Sequence, residues 1–230
     1  MKIDTNIIEE LRKQKIVTIG FSLGKDSLAC ALVLKELGVD FIPFYFFHVP
    51  DLDFVNHQID YYSNFFKKEI IQMPHPMLYD TIRHQDYQPL QMAKYMDTFD
   101  FPKMEFMDMV NAYCDENGIK SNYDVVGMRS AESFNRRKFF ERKGAIDQKS
   151  GKIYPIWNWK KGDVVSKLKE HNLKLSDDYT IWNRSWDGIK YQFLAGVQKH
   201  YPKDYEKIKE FYPLIELETL RYRFNHEHLG

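Results

Sequence analysis

Only two cysteines occur in 230 residues, Cys30 and Cys114. No Cys or His pair has metal-ligand spacing, and both cysteines lie in apolar helical patterns, where buried reduced thiols are expected. His226 and His228 flank Glu227, but histidines on a fraying tail read as solvated, so no protein-held metal is expected. An excess of one charge is also missing. The 33 Lys and Arg residues balance 33 Asp and Glu, which removes the overall electrostatic case for a nucleic-acid or membrane-surface protein. No apolar run is long enough to span a bilayer. Met1 to Lys15, with Ile3, Ile7, Ile8 and Leu11 on one face, reads as an amphipathic helix rather than a signal peptide. A cytoplasmic protein is the expectation.

What is present suits a sizeable core: 43% hydrophobic and 16% aromatic residues in a chain long enough for one domain with an appended region. Apolar runs alternate between strand-like and helix-like. Ile16 to Phe21 reads as a strand and Leu28 to Leu37 as a helix closed by Gly38. Val39 to Val49 has the near-continuous apolar pattern of a strand buried on both faces of a parallel sheet, with Pro43 arguing against perfect pairing. Helix at Phe54 to Lys67, strand at Glu69 to Met73, helix at Met104 to Asn117 before Gly118, and strand at Tyr123 to Met128 follow. Pro74 to Pro102, with four prolines, reads as irregular, in the manner of a lid or binding loop. The expected fold is α/β: an open, mostly parallel twisted sheet with helices on both faces, over residues 1–178. Residues 179–230 read as a helical, aromatic-rich cap, with Trp182, Trp186, Tyr191, Phe193 and Leu194 ahead of a charged helix, Lys203 to Arg223, that Pro213 interrupts.

The first strand opens into its helix through Ser22-Leu23-Gly24-Lys25-Asp26-Ser27. Such a turn leaves backbone N–H groups converging at the positive end of a helix dipole, which suits a phosphate or pyrophosphate. Ser22 and Ser27 offer hydroxyls, Gly24 permits close approach, and Lys25 supplies a point charge. Asp26 caps the helix, orients Lys25, or helps hold a magnesium ion brought by a nucleotide. A Walker A loop does not fit, because three residues rather than four separate Gly20 from Gly24, and Asp26 rather than Ser or Thr follows the lysine.

A second cluster, Gly127 to Arg137, follows the fourth strand. Arg129, Arg136 and Arg137 stand where ligands bind open α/β sheets, and Glu132 is placed to orient one of the guanidinium groups. A third segment, Tyr154 to Val165, reads as architectural, with Trp159 over a helix start and Asp163 as its N-cap. His48 reads as a strand-end histidine.

The loop resembles the PP-loop of the N-type ATP pyrophosphatases, the adenine nucleotide alpha hydrolase-like superfamily, whose signature is close to Ser-Gly-Gly-x-Asp-Ser; Leu23 departs from it. With Gly127, Arg129, Glu132, Ser133 and Arg136, then Pro155, Ile156, Trp159, Asp163 and Val164, the ordered set over residues 15–180 looks like the phosphoadenosine phosphosulfate (PAPS) reductase family of that superfamily. The resemblance implies an adenine nucleotide, ATP or PAPS, with Mg2+ carried on it. It implies binding by Ser22, Leu23, Gly24, Lys25, Asp26, Ser27, Gly127, Arg129, Glu132, Arg136 and Arg137, and catalysis through Lys25, Asp26 and Arg129, with the adenine near Gly20, Phe21 and His48 to Asp51. PAPS reductases use a cysteine in a C-terminal Glu-Cys-Gly-x-His segment, and no cysteine follows Cys114, so that thiol route is not expected. The expectation is ATP cleavage at the alpha phosphate to AMP and pyrophosphate, in adenylation or sulfur-transfer chemistry. A PAPS- or adenylyl-sulfate-binding sulfotransferase or reductase with an external thiol, and a non-catalytic nucleotide-sensing module, remain alternatives. The acceptor is unassigned, and the C-terminal region offers a surface for a protein partner or homodimer.

Overall fold

The computed structural model describes residues 2–96, 104–185 and 188–227. An amphipathic α1 (Thr5–Arg12) buries Ile7 and Leu11 and leads to β1 (Ile16–Gly20). After the loop comes α2 (Lys25–Leu37), in which every residue from Ser27 to Leu34 is buried. A helix apolar on all sides belongs inside a protein, and α2 lies within the main core, with Val17 and Ile19 of β1 in the same cluster. It ends at Gly38, whose φ of 68° is the left-handed conformation that glycine adopts without cost.

Next come β2 (Asp40–Phe47), α3 (Asp53–Phe66) and β3 (Ile71–Pro74). Along β2 the side chains alternate: Phe41 and Tyr45 enter the main core, while Ile42, Phe44 and Phe46 join a second cluster on the other face. The sheet is thus covered on both sides, as the unbroken apolar run predicts. Pro43 is accommodated by register. Phe44 accepts from the Phe21 amide at 2.7 Å, so the alternation of a parallel ladder turns the Pro43 nitrogen toward β3, and β3 begins only opposite Phe44.

The segment expected to be irregular holds α4 (Pro76–Arg83) and a short α5 (Ala93–Met96). Pro76 at the first helical position costs no hydrogen bond, and His75 caps the helix by accepting from the Met77 amide at 3.0 Å. Residues 97–102 of the expected lid lie outside the described residues, as do Trp186 and the His228 end of the tail. Then α6 (Phe106–Glu116) packs Val110 and Cys114 on the second cluster.

Strand β4 is Asp124–Val125, shorter than the expected Tyr123 to Met128, because the chain leaves the ladder to bring Gly127 against α2. Beyond it lie α7 (Phe134–Lys143), the antiparallel pair β5 (Ile146–Asp147) and β6 (Lys152–Ile153), and α8 (Lys161–Glu170). Asp163 is the third residue of α8, not its cap. Lys160 takes the extended cap position, and the Asp163 carboxylate accepts from its amide at 2.7 Å.

A short α9 (Asp178–Ile181) precedes α10 (Tyr191–His200), α11 (Pro202–Phe211) and α12 (Glu216–Glu227). Leu194, Val197, Tyr205, Ile208, Tyr212 and Ile215 belong to the same core cluster as the sheet. Asp204, 2% exposed, accepts from the Asp53 and Phe54 amides at 2.8 and 3.0 Å, so a residue of α11 caps α3. A carboxylate at a helix N-terminus contributes roughly 1 kcal/mol.

The sheet order is β3-β2-β1-β4-β6-β5, parallel except for β5. Strand order reverses between β1 and β4, and in open α/β sheets the crevice at the carboxyl ends of such a pair receives ligands.

Candidate functional site

Both sequence clusters meet at that crevice. From β1 the chain runs through Phe21 and Ser22 to Leu23, which has φ of 56°. The residue standing where the resemblance expects glycine therefore keeps a left-handed backbone. That conformation costs a side-chain-bearing residue roughly 1–2 kcal/mol, and burying the leucine, 3% exposed, offsets it by roughly the same amount. Gly24 is the extended cap of α2 and, having no side chain, makes no capping hydrogen bond of its own. A Cβ on Gly24 would stand 3.2 Å from Ser22 Oγ and 3.3 Å from Ser185 Oγ. The Lys25 amide donates to the Tyr179 hydroxyl at 3.1 Å, so α9 reaches over the loop.

Arg129 arrives from the end of β4. A Cβ on Gly127 would lie 2.8 Å from both the Asp26 carbonyl carbon and the Ser27 nitrogen, so glycine is what lets the two backbones touch. This contact sets a chain of charges. Asp26 accepts from Lys25 Nζ at 2.5 Å on one oxygen and from Arg129 Nε at 2.6 Å on the other. Arg129 Nη2 donates to Glu132 at 3.2 Å, and Glu132 in turn pairs with Arg136. Arg129 is 4% exposed. A guanidinium that deep is stable only with charged partners on both sides, which the two carboxylates provide. Of the three roles open to Asp26, the geometry realises the orientation of Lys25, together with the fixing of Arg129.

These residues line a cleft of about 800 Å³. Ser22, Gly24, Lys25, Asp26, Ser27, Gly127, Arg129, Glu132 and Arg136 are all on its wall. Two expected residues are not. Leu23 turns its side chain into the core, and Arg137 is on the exposed face of α7. Six cationic side chains, including Lys152, Lys161 and Arg184, face three carboxylates, an imbalance that favours an anionic ligand.

Several wall residues carried no sequence signal for this role. Tyr179, Lys161 and Arg184 reach the cleft from segments far from the loop. His48 does more than end a strand: it stacks on His75 with ring centroids 4.2 Å apart, the two rings standing at the carboxyl ends of β2 and β3. Burial, helped by the neighbouring His75, pushes the His48 pKa down to about 4, and burial also lowers that of His75. Both are neutral at pH 7. Asp124 at the cleft floor accepts from Thr18 Oγ1 at 3.0 Å, and burial raises its pKa to about 6 against that hydrogen bond.

The sequence matches no family model and no curated protein. Two solved structures are similar to this fold. One is the phosphoadenylyl-sulfate (PAPS) reductase from Candida auris in its phosphate complex: 13% identity, 81% of this chain and 99% of that one covered, TM-score 0.44. The other is the U34-tRNA thiolase NcsA from Methanococcus maripaludis with its [4Fe-4S] cluster: 13% identity, 92% and 78% covered, TM-score 0.45. The functional reading rests instead on the chain's own residues.

Those residues do not form a magnesium site. Asp26 is neutralised by Lys25 and Arg129, and Glu132 by Arg129 and Arg136, so the hard anionic oxygens a divalent ion needs are already committed to cations. Among the described residues the group with ligand spacing is Glu36, Glu170 and His171, but Lys167 Nζ sits on both glutamates at 2.7 and 3.0 Å. Nor is a thiolate available in the cleft. Cys30 and Cys114 are buried in the two core clusters, and burial pushes both thiols up.

Proposed function

We propose that this chain is a PP-loop enzyme that binds an adenine nucleotide, ATP foremost, and cleaves it at the alpha phosphate to AMP and pyrophosphate, in adenylation or sulfur transfer. The observation that carries this reading is the N-terminus of α2 at the β1–β4 crevice, where the cap residue Gly24 supplies no side-chain acceptor and Asp26 holds Lys25 and Arg129 alongside. A substrate oxygen attacks the alpha phosphorus, and the bond from that phosphorus to the bridging oxygen breaks. Pyrophosphate leaves with the electron pair, and a second nucleophile then displaces AMP. Lys25 and the loop amides take the negative charge of the leaving pyrophosphate. Arg129 has Nε and Nη2 committed to Asp26 and Glu132, which presents its remaining nitrogen in a fixed direction toward the alpha phosphate or the acceptor. Arg136 and Lys161 supply charge at the wall. No step runs through a protein-held metal.

Incubation with ATP and magnesium, with products separated by mass spectrometry, tests this. AMP and pyrophosphate are expected, and Lys25→Ala should lower their formation by about 10²- to 10³-fold. ADP with phosphate, or turnover indifferent to Lys25, would refute it. A second reading, PAPS or adenylyl sulfate with an external thiol, is favoured by the cationic excess, which suits a second anionic group, and by the burial of both cysteines. Tight PAPS binding without ATP turnover would select it.

A further inference from the structure

The balanced total charge conceals a strong segregation. Residues 129–161 carry ten Lys and Arg against three Asp and Glu, which leaves 23 basic against 30 acidic residues elsewhere. The fold places this basic segment along one side of the cleft. Arg129, Arg136, Lys152 and Lys161 line the wall, and Arg137, Lys138 and Arg142 continue outward on the exposed face of α7. Lys149 follows in the β5–β6 turn. Phe140 is the seam, packing on Tyr154 at 5.3 Å and Trp157 at 5.6 Å, so α7 lies directly on the segment that leads into Lys160 and Lys161.

A solvated basic helix ordinarily carries interleaved acids. Here Lys138 pairs with Glu141 and Lys143 approaches Asp147 at 3.9 Å, but among the described residues no carboxylate pairs with Arg137, Arg142, Lys149, Lys160 or Lys161. At the head of the same helix Phe134 is 67% exposed, with Lys138 Nζ 5.6 Å from its ring centre. A large exposed ring on a helix that also carries unpaired cations, Arg137 and Arg142, is the combination that stacks an unpaired base while the strand's phosphates are neutralised.

We infer that this face docks single-stranded nucleic acid, with Phe134 stacking a base and the cations of α7 and of the β5–β6 turn holding phosphates, so that the strand reaches the cleft past Arg136 and Lys161. The binding itself does not depend on which nucleotide the cleft turns over. That the strand is the acceptor rests on the function proposed above.

Fluorescence anisotropy of labelled 12-nucleotide RNA and DNA oligonucleotides, titrated with the whole protein from 50 to 200 mM KCl, provides the test. About five phosphate contacts give a slope of log affinity against log salt near −3.5, and therefore about a 100-fold loss over that range. Phe134→Ala should weaken binding about 5- to 150-fold, and Arg142→Glu or Lys149→Glu should flatten the slope by about 0.7 each. Each variant should retain wild-type ATP affinity. Binding of either sugar with these responses supports the inference. Wild-type protein that binds ATP but no oligonucleotide overturns it, as does binding that Phe134→Ala and the charge reversals leave unchanged, or equal affinity for a blunt duplex. Loss of ATP binding or turnover with oligonucleotide binding intact would overturn the proposed function and leave the docking face standing.

Discussion

Replacing Gly127 by alanine isolates the contact on which the site is built. Gly127 does not have a positive φ, so alanine meets no backbone penalty there, and the whole effect comes from space. Its Cβ would stand 2.8 Å from Asp26 carbonyl carbon and Ser27 nitrogen and 2.9 Å from the Asp26 oxygen. These are backbone atoms of the first turn of α2, unable to swing away as a side-chain tip can. Restoring ordinary contact at 3.4 Å needs about 0.6 Å of movement between loop and strand end. Overpacking of that kind costs about 1–3 kcal/mol. Because the same movement shifts Lys25 and Arg129 relative to each other, nucleotide turnover should fall by about 10- to 100-fold. Urea unfolding at pH 7 and AMP release are to be measured on the same preparation. Gly162→Ala is the control: nothing lies within 4 Å of its Cβ, and within α8 the change should stabilise by up to about 1 kcal/mol. Gly127→Ala with stability within 0.5 kcal/mol of wild type and unchanged turnover would refute the argued contact.

Two more predictions concern charge. Asp26→Ala should destabilise the fold by about 3 kcal/mol, the low end for breaking a buried pair because Glu132 still holds Arg129; adding Arg129→Met should recover part of the loss, and strictly additive unfolding energies would show the pair to be uncoupled. His48 has its pKa depressed to about 4. Its stability contribution is complete above about pH 6.5 and is lost as pH falls toward 4, because the unfolded chain takes up the proton first. The loss amounts to about 3 kcal/mol. The urea midpoint of wild type should fall relative to that of His48→Asn from pH 7 to pH 4.5, and parallel curves would contradict the assignment. Asp124, raised to about 6 by burial, works in the opposite direction over part of that window, so the difference between the two proteins is the informative quantity.

Local order was legible where a residue's role depends on its neighbours in the chain. The apolar alternation of β2, the apolar run of α2, the left-handed glycines at Gly38 and Gly118, and the loop Ser22 to Ser27 all follow from spacing, turn chemistry and capping. Pro76 is a helix-start signal rather than a mark of irregularity, because its missing N–H falls at the first position of α4. Asp163 lay in the right motif but three residues inside the helix it was expected to cap.

The amino-acid sequence by itself determined that a strand turns into a helix through a small, charged loop, and that an arginine-rich turn follows a later strand. Only the tertiary structure decided that Asp26 would hold Arg129 across 103 positions, that Tyr179 would reach the Lys25 amide across 154, and that Asp204 would cap α3 across 150. Periodicity fixes which face of an element is apolar, but not which distant element meets it. That choice is made by packing the whole core, and it gathers a neutral chain's cations onto one wall of the cleft.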